Sequence, residues 1–174
     1  MAQQAKRLKE GLSGEELTRF CKRYLPESFL SVFSLDNIEY DRIQDRLTQG
    51  QATSCIVNTT KASEKGEHWI GVHFTAEGEC EYFDSYGLPP IQSETQRLCE
   101  MAPSGCYNWN DEPVQDILDD SSAACGFHVL FYLYAKHRDP NLTLHDVVKY
   151  YSPDSLRLND VFAIVFIEYK NSLK

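Results

Sequence analysis

The chain has 174 residues, a formal net charge of −9, 42% apolar residues and 25% charged residues, with ten Tyr and nine Phe. That length and balance suit one globular domain with an aromatic-rich core and exclude a disordered or fibrous chain. The acid excess argues against a general polyanion binder, which needs clustered Lys and Arg, and no apolar run approaches the ~20 residues that span a bilayer.

Residues 1–11 read as a flexible arm, with the short basic run Lys6-Arg7-Leu8-Lys9 in solvent, and residues 12–174 as a single domain. The polar opening Met1-Ala2-Gln3-Gln4-Ala5 lacks the pattern of a secretory leader. The expected compartment is therefore reducing and intracellular. Cys21, Cys55, Cys80, Cys99, Cys106 and Cys125 are expected to be mostly free thiols rather than three disulfides. None of them stands in a Cys-x-x-Cys pair, so no structural zinc site is expected.

Ser13 and Glu16 form a capping box, and Leu12 and Leu17 staple across it. Leu17, Phe20, Cys21 and Tyr24 share one face of the helix that follows, which ends before Pro26. Residues 26–51 show no clear period. Cys55-Ile56-Val57 predicts a buried strand. His68–Thr75 and Glu79–Asp84 predict a hairpin turning at Ala76-Glu77-Gly78. Ser93 and Gln96 suggest a second capping box, opening a helix to Met101. Tyr107–Trp109 reads as a short strand, and Ala123–His137 as a long buried helix. Asn141–Tyr151 predicts a helix capped by Thr143. Val161–Tyr169 is apolar nearly throughout, and its period does not choose between helix and strand.

With the hairpin turn near Ala76-Glu77, His68 falls opposite Asp84 or Ser85, where Cβ atoms sit roughly 4.5–5.5 Å apart. A carboxylate at that separation fixes the imidazole tautomer and stabilises its protonated form. A one-residue slip would put the pair on opposite faces. Each residue alone has a plainer reading, His68 as packing and Asp84 as a turn-former or cap. Cys125 opens the long helix, where the dipole lowers a thiol pKa and favours the nucleophilic thiolate; a small buried hydrophobe is the plainer reading. Gly126 and the small residues before Cys125 allow a substrate backbone close approach. Gln115, ten residues before Cys125, is a candidate donor to an oxyanion together with the Cys125 N–H. His73 points to the opposite strand face, His128 reads as packing, and His137 and His145 as exposed.

The order His, Asp, Gln, Cys resembles the adenain-like cysteine proteases. These are the adenovirus-type maturation proteases, with relatives in Maverick or Polinton transposons and viruses, within a wider clan of ubiquitin-like-protein proteases. Three stretches carry the resemblance: Gly66-Glu67-His68-Trp69-Ile70-Gly71-Val72; Glu81-Tyr82-Phe83-Asp84-Ser85-Tyr86-Gly87; and Val114-Gln115 with Ser122-Ala123-Ala124-Cys125-Gly126-Phe127.

The resemblance implies an α+β, papain-like fold: a central, mostly antiparallel sheet packed by helices, with the nucleophile at the N-terminus of the central helix. It implies Cys125 as nucleophile, His68 as general base and then acid, Asp84 as the orienting acid (adenovirus enzymes look to use Glu there), Gln115 as oxyanion donor, and Trp69 as a wall of the cleft. It implies cleavage after small, Gly-rich sequences, with capsid or core proteins of a virus or transposon as substrates, in host cytoplasm, nucleus or virion. The chain departs from the family in two ways. Gln115 stands a few residues farther from Cys125 than usual; an inserted turn within Asp116–Asp120 would account for this, with Asn110 or Asn108 as substitutes for Gln115. The acidic charge also argues against the DNA cofactor of adenovirus enzymes. No metal or organic cofactor is required. Cys106 stands near where the family's activating peptide attaches, although a structural or idle thiol is the plainer reading. A deconjugating protease for a ubiquitin-like modifier is the second reading, and a catalytically idle binding module the third. The short chain leaves little room for a modifier-docking surface.

Overall fold

The structure, a computed structural model, describes residues 9–116 and 122–173. The arm before residue 9 and the turn expected from 117 to 120 lie outside the described residues. Five strands form one sheet in sequence order: β1 (Phe29–Ser34), β2 (Thr53–Asn58), β3 (Trp69–Phe74), β4 (Cys80–Phe83) and β5 (Tyr107–Trp109). The helices are α1 (Gly14–Tyr24), α2 (Tyr40–Thr48), α3 (Ser93–Cys99), α4 (Cys125–Arg138), α5 (Leu144–Val148) and α6 (Leu156–Ser172). The antiparallel pairings expected of the sheet occupy its centre, β2–β3 and β3–β4; the outer pairings, β1–β2 and β4–β5, are parallel, so the sheet is mixed.

All six residues of β2 and all four of β4 are buried, because helices cover both faces of the sheet. Successive side chains alternate between two cores. Ile56 and Phe83 face α1, α4 and α6 residues such as Phe20, Phe127 and Ile164. Cys55, Val57, Val72 and Tyr82 face Ile43 and Leu47 of α2 and Leu98 of α3. Helix α4 is buried on nearly every side: Phe127, Val129, Leu130, Tyr132 and Leu133 are all buried. Gly71 lets it lie close on β3. A Cβ there would sit 3.1 Å from Val129 Cγ1 and 3.5 Å from Tyr132 Cδ1. Gly71→Val is therefore expected to destabilise the fold by about 1–3 kcal/mol through overpacking. Urea denaturation measures this, and an unchanged midpoint would refute the close approach.

The Ser13–Glu16 capping box forms as expected, and Thr143 caps α5 through a box with Asp146. Helix α5 spans only Leu144–Val148, within the expected 141–151. The second box does not form: α3 begins at Ser93, whose hydroxyl bonds Glu94 Oε2, while Gln96 Nε2 bonds Pro90 O. The helix also ends at Cys99, two residues short of expectation. The 26–51 segment supplies β1, a 3-10 turn over Leu35–Asn37, and α2. The ambiguous 161–169 run lies inside the helix α6.

Candidate active site

The β3–β4 ladder pairs Gly71 with Phe83, Val72 with Tyr82, and His73 with Glu81, so it is centred on Glu77. His68 precedes β3 and Asp84 follows β4. Both lie just beyond the ladder, where strict alternation of faces no longer separates them. Continuing the register places His68 opposite Tyr86, and the two rings stack with centroids 4.4 Å apart and planes 9° apart. The chain turns at Gly87 (φ 71°), where Gly87 N–H donates to Asp84 O. The turn leaves the Asp84 carboxylate pointing at the imidazole, with His68 Nε2 2.8 Å from Asp84 Oδ1. The same Oδ1 accepts the Tyr86 N–H at 2.8 Å.

The Asp84 backbone is clamped by Asn110. Its Oδ1 accepts the Asp84 N–H at 2.9 Å, and its Nδ2 donates to Asp84 O at 2.6 Å and to Glu112 O at 3.2 Å. A side-chain amide nitrogen has two protons, so both of Asn110's are used and it has none to offer an oxyanion. Asn108 is exposed on β5, beside Glu81.

Cys125 is the first residue of α4, after Ala124 at the N-cap, and is 6% exposed. The orphan amides and dipole of that first turn favour negative charge on the sulfur. Burial alone would lower the His68 pKa. The hydrogen bond to Asp84, the nearness of Cys125 and the charges of both outweigh burial and raise it to about 9. The second ring nitrogen, Nδ1, is buried and has no formed hydrogen bond among the described residues. The Cys125 sulfur thus acts on the ring as a close electrostatic partner rather than through a well-aligned bond, as is common before a substrate arrives.

Gln115 is fully buried. Ser85 Oγ donates to its Oε1 at 2.7 Å, and its Nε2 donates to Ser122 O at 3.1 Å. Trp69 donates Nε1–H to Leu12 O at 3.0 Å. A Cβ on Gly126 would lie 3.3 Å from both Leu12 Cβ and Trp69 Cδ1. That glycine therefore makes room for the indole and Leu12. Cys106 is exposed, while Cys21, Cys55, Cys80 and Cys99 are buried; all six thiols are free.

Sequence reasoning did not find the roles of Tyr86, Asn110 and Ser85. The turn signal Ser85-Tyr86-Gly87 located the first and third, but contacts across the chain were needed to give them a role. It also read His128 as packing, whereas the residue is buried in a polar network with Asp160 and Tyr151.

A cavity of about 860 Å³ lies at the other end of α4, lined by His73, Glu81, Lys136 and His137 among others. Glu81 is satisfied there by Tyr132, Lys136 and the Leu144 N–H. None of His68, Asp84, Gln115 or Cys125 lines that cavity. No group of three or more His, Cys, Asp or Glu suited to a metal, and no helix long and apolar enough to cross a membrane, occurs among the described residues.

No protein-family pattern and no curated protein sequence matches the chain. Solved structures do match. An ASFV protease aligns at TM-score 0.53 and 18% identity, covering 86% of this chain and 64% of its own. AvrA, solved with IP6 and CoA, aligns at TM-score 0.53 and 15% identity, covering 85% of this chain and 64% of its own. A de-sumoylating protease aligns at TM-score 0.52 and 13% identity, covering 97% of this chain and 89% of its own. The chain therefore spans less than two thirds of the first two. Its mixed sheet and packed helices have the fold of the adenain-like and ubiquitin-like-protein proteases.

Proposed function

We propose that the chain is a cysteine endopeptidase cutting after small, Gly-rich sequences. The observation that carries this reading is the buried His68–Asp84 pair, 2.8 Å apart, whose free ring nitrogen is under the influence of the Cys125 sulfur at a helix mouth. At neutral pH a His68 with its pKa raised to about 9 is protonated, and the attacking form of Cys125 is its thiolate, which a helix mouth favours. The thiolate attacks the scissile carbonyl carbon. The developing oxyanion is held by the Cys125 N–H and Gln115 Nε2. Collapse breaks the C–N bond, and the leaving amine takes the His68 proton. Water, deprotonated by the now neutral His68, then hydrolyses the thioester and restores the ion pair. Trp69 narrows the approach to Cys125, which favours slender residues before the cut.

Capsid or core proteins of a virus or transposon are the first substrate class, acting in a reducing intracellular compartment. Modifiers ending in Gly-Gly are the second, supported by the extent of the match to a de-sumoylating protease, 97% of this chain and 89% of that one. Chain length therefore no longer weighs against a deconjugase. The AvrA neighbour was solved with IP6 and CoA; a net charge of −9 disfavours such polyanions here. The chemistry needs no cofactor, and exposed Cys106 is where an activating peptide would attach.

The test offers purified protein a Gly-Gly-tailed modifier and Gly-rich capsid precursors, each with a Cys125→Ala control. Cys125-dependent cleavage of one substrate class selects that reading. Absence of Cys125-dependent cleavage in both overturns the protease assignment in favour of an idle binding module.

A further inference from the structure

A second His–Asp pair stands behind the candidate nucleophile. His128, three residues into α4, lies with Nε2 2.8 Å from Asp160 Oδ1 of α6, and both side chains are essentially inaccessible. Burial lowers the His128 pKa, partly offset by the bond to Asp160. A neutral ring donates Nε2–H to Asp160 and accepts at Nδ1 from the Tyr151 hydroxyl, 3.2 Å away. The other oxygen of Asp160, Oδ2, accepts the Ser122 hydroxyl at 2.5 Å. Ser122 O in turn accepts from Gln115 Nε2 at 3.1 Å, while Ser85 Oγ donates to Gln115 Oε1 at 2.7 Å. A carbonyl only accepts, so the nitrogen end of the Gln115 amide must face Ser122. One of its two protons is used there, and among the described residues the other has no partner.

We propose that Asp160 is a positioning residue for the oxyanion donor: it anchors Ser122, whose carbonyl orients the Gln115 amide so that its second proton serves the substrate oxygen. This rests on the protease reading. The C-terminal helix thereby takes part in the site without touching substrate. A buried network that serves only to satisfy its own polar groups would hold the fold without aiming Gln115, and the two roles part under mutation.

Asp160→Ala removes the anchor but also strands the buried His128, so the decisive variant is Ser122→Ala, which cuts the tether alone. In the full-length protein it is expected to lower kcat about 10- to 100-fold, part of the value of an oxyanion donor, with KM nearly unchanged. Ser122→Thr, which keeps a hydroxyl, restores most of the rate. Alkylation of Cys125 by iodoacetamide generates no oxyanion, and its rate should stay within about twofold of wild type, the change expected of an intact thiol site. In a Gln115→Ala background, Ser122→Ala should add no further loss. A wild-type kcat in Ser122→Ala, or a full additional loss in the Gln115→Ala background, overturns the proposal. Absence of Cys125-dependent hydrolysis in the wild type would instead sink the protease reading. The tether is then read without turnover, from the Gln115 side-chain amide signals in the NMR spectrum. They should move in Ser122→Ala and not in Ser122→Thr, and unmoved signals in Ser122→Ala refute the positioning role.

Discussion

Cys125→Ala is expected to reduce peptide hydrolysis by about 10⁴- to 10⁶-fold, the range seen when a triad enzyme loses its nucleophile. Without the sulfur no covalent intermediate forms, and His68 has only water to activate, without the effective concentration of a tethered nucleophile. Substrate binding should survive, because Ala retains the helix mouth and Trp69 is held by Leu12 and Gly126, not by the thiol. Hydrolysis rates and equilibrium binding on one substrate separate the two effects. Iodoacetamide at mildly acidic pH supplies an independent reading. Burial pushes the Cys21 and Cys55 thiols well up, and a hydrogen bond with Cys99 together with burial does the same for Cys80, so these are protonated and shielded. The exposed Cys106 is the one accessible competitor. Cys125 should label first, and the fast phase should disappear in Cys125→Ala. Undiminished hydrolysis by that variant would end the thiol mechanism.

The chemistry-bearing residues were legible because each sits where a local pattern breaks. His68 stands at the polar end of an apolar strand, Asp84 at a Ser-Tyr-Gly turn, and Cys125 where small residues give way to a long apolar run. The four-residue β4 and the six-residue β3 left the hairpin register uncertain, and the ladder is in fact centred on Glu77. The His68–Asp84 pair tolerates this because both residues lie past the strand ends. What stayed hidden was set by contacts distant in sequence. The clamp of Asn110 on Asp84, the bond of Ser85 to Gln115 and the reach of Asp160 to Ser122 span 26, 30 and 38 residues. No period or cap signals a buried polar group whose partner lies that far along the chain. Helix α6 was ambiguous for a related reason. Its buried Ala163, Ile164 and Ile167 alternate with exposed Leu158, Phe162, Val165 and Tyr169, so apolar residues occupy both faces and blur the helical period.

Asp84→Ala should lower kcat/KM by about 10³- to 10⁴-fold, the scale of a triad histidine losing its tautomer, and Asp84→Asn by less, because here the Tyr86 N–H holds the amide oxygen toward His68. Asp84 Oδ1 receives both His68 Nε2 and the Tyr86 N–H. Asn keeps an oxygen for both and so preserves the tautomer that presents Nδ1 to Cys125; it removes only the charge. Ala removes the charge and the orientation together. Charge loss has its own signature in pH. Burial disfavours the His68 imidazolium, and the Asp84 bond with the charges of Asp84 and Cys125 more than offsets this, giving a value of about 9. The alkaline limb of kcat/KM should accordingly lie near pH 9 in the wild type and move toward acid in Asp84→Asn. Stability follows the same proton. The folded protein binds it more tightly than the unfolded chain, whose His titrates near 6.5. The His68 contribution is therefore complete below that pH, falls as pH rises through about 9, and is gone above. Urea denaturation across that window should show the decline in wild type and a shallower one in Asp84→Ala. An alkaline limb that stays in place in Asp84→Asn would mean that the carboxylate charge is not what holds the proton on His68.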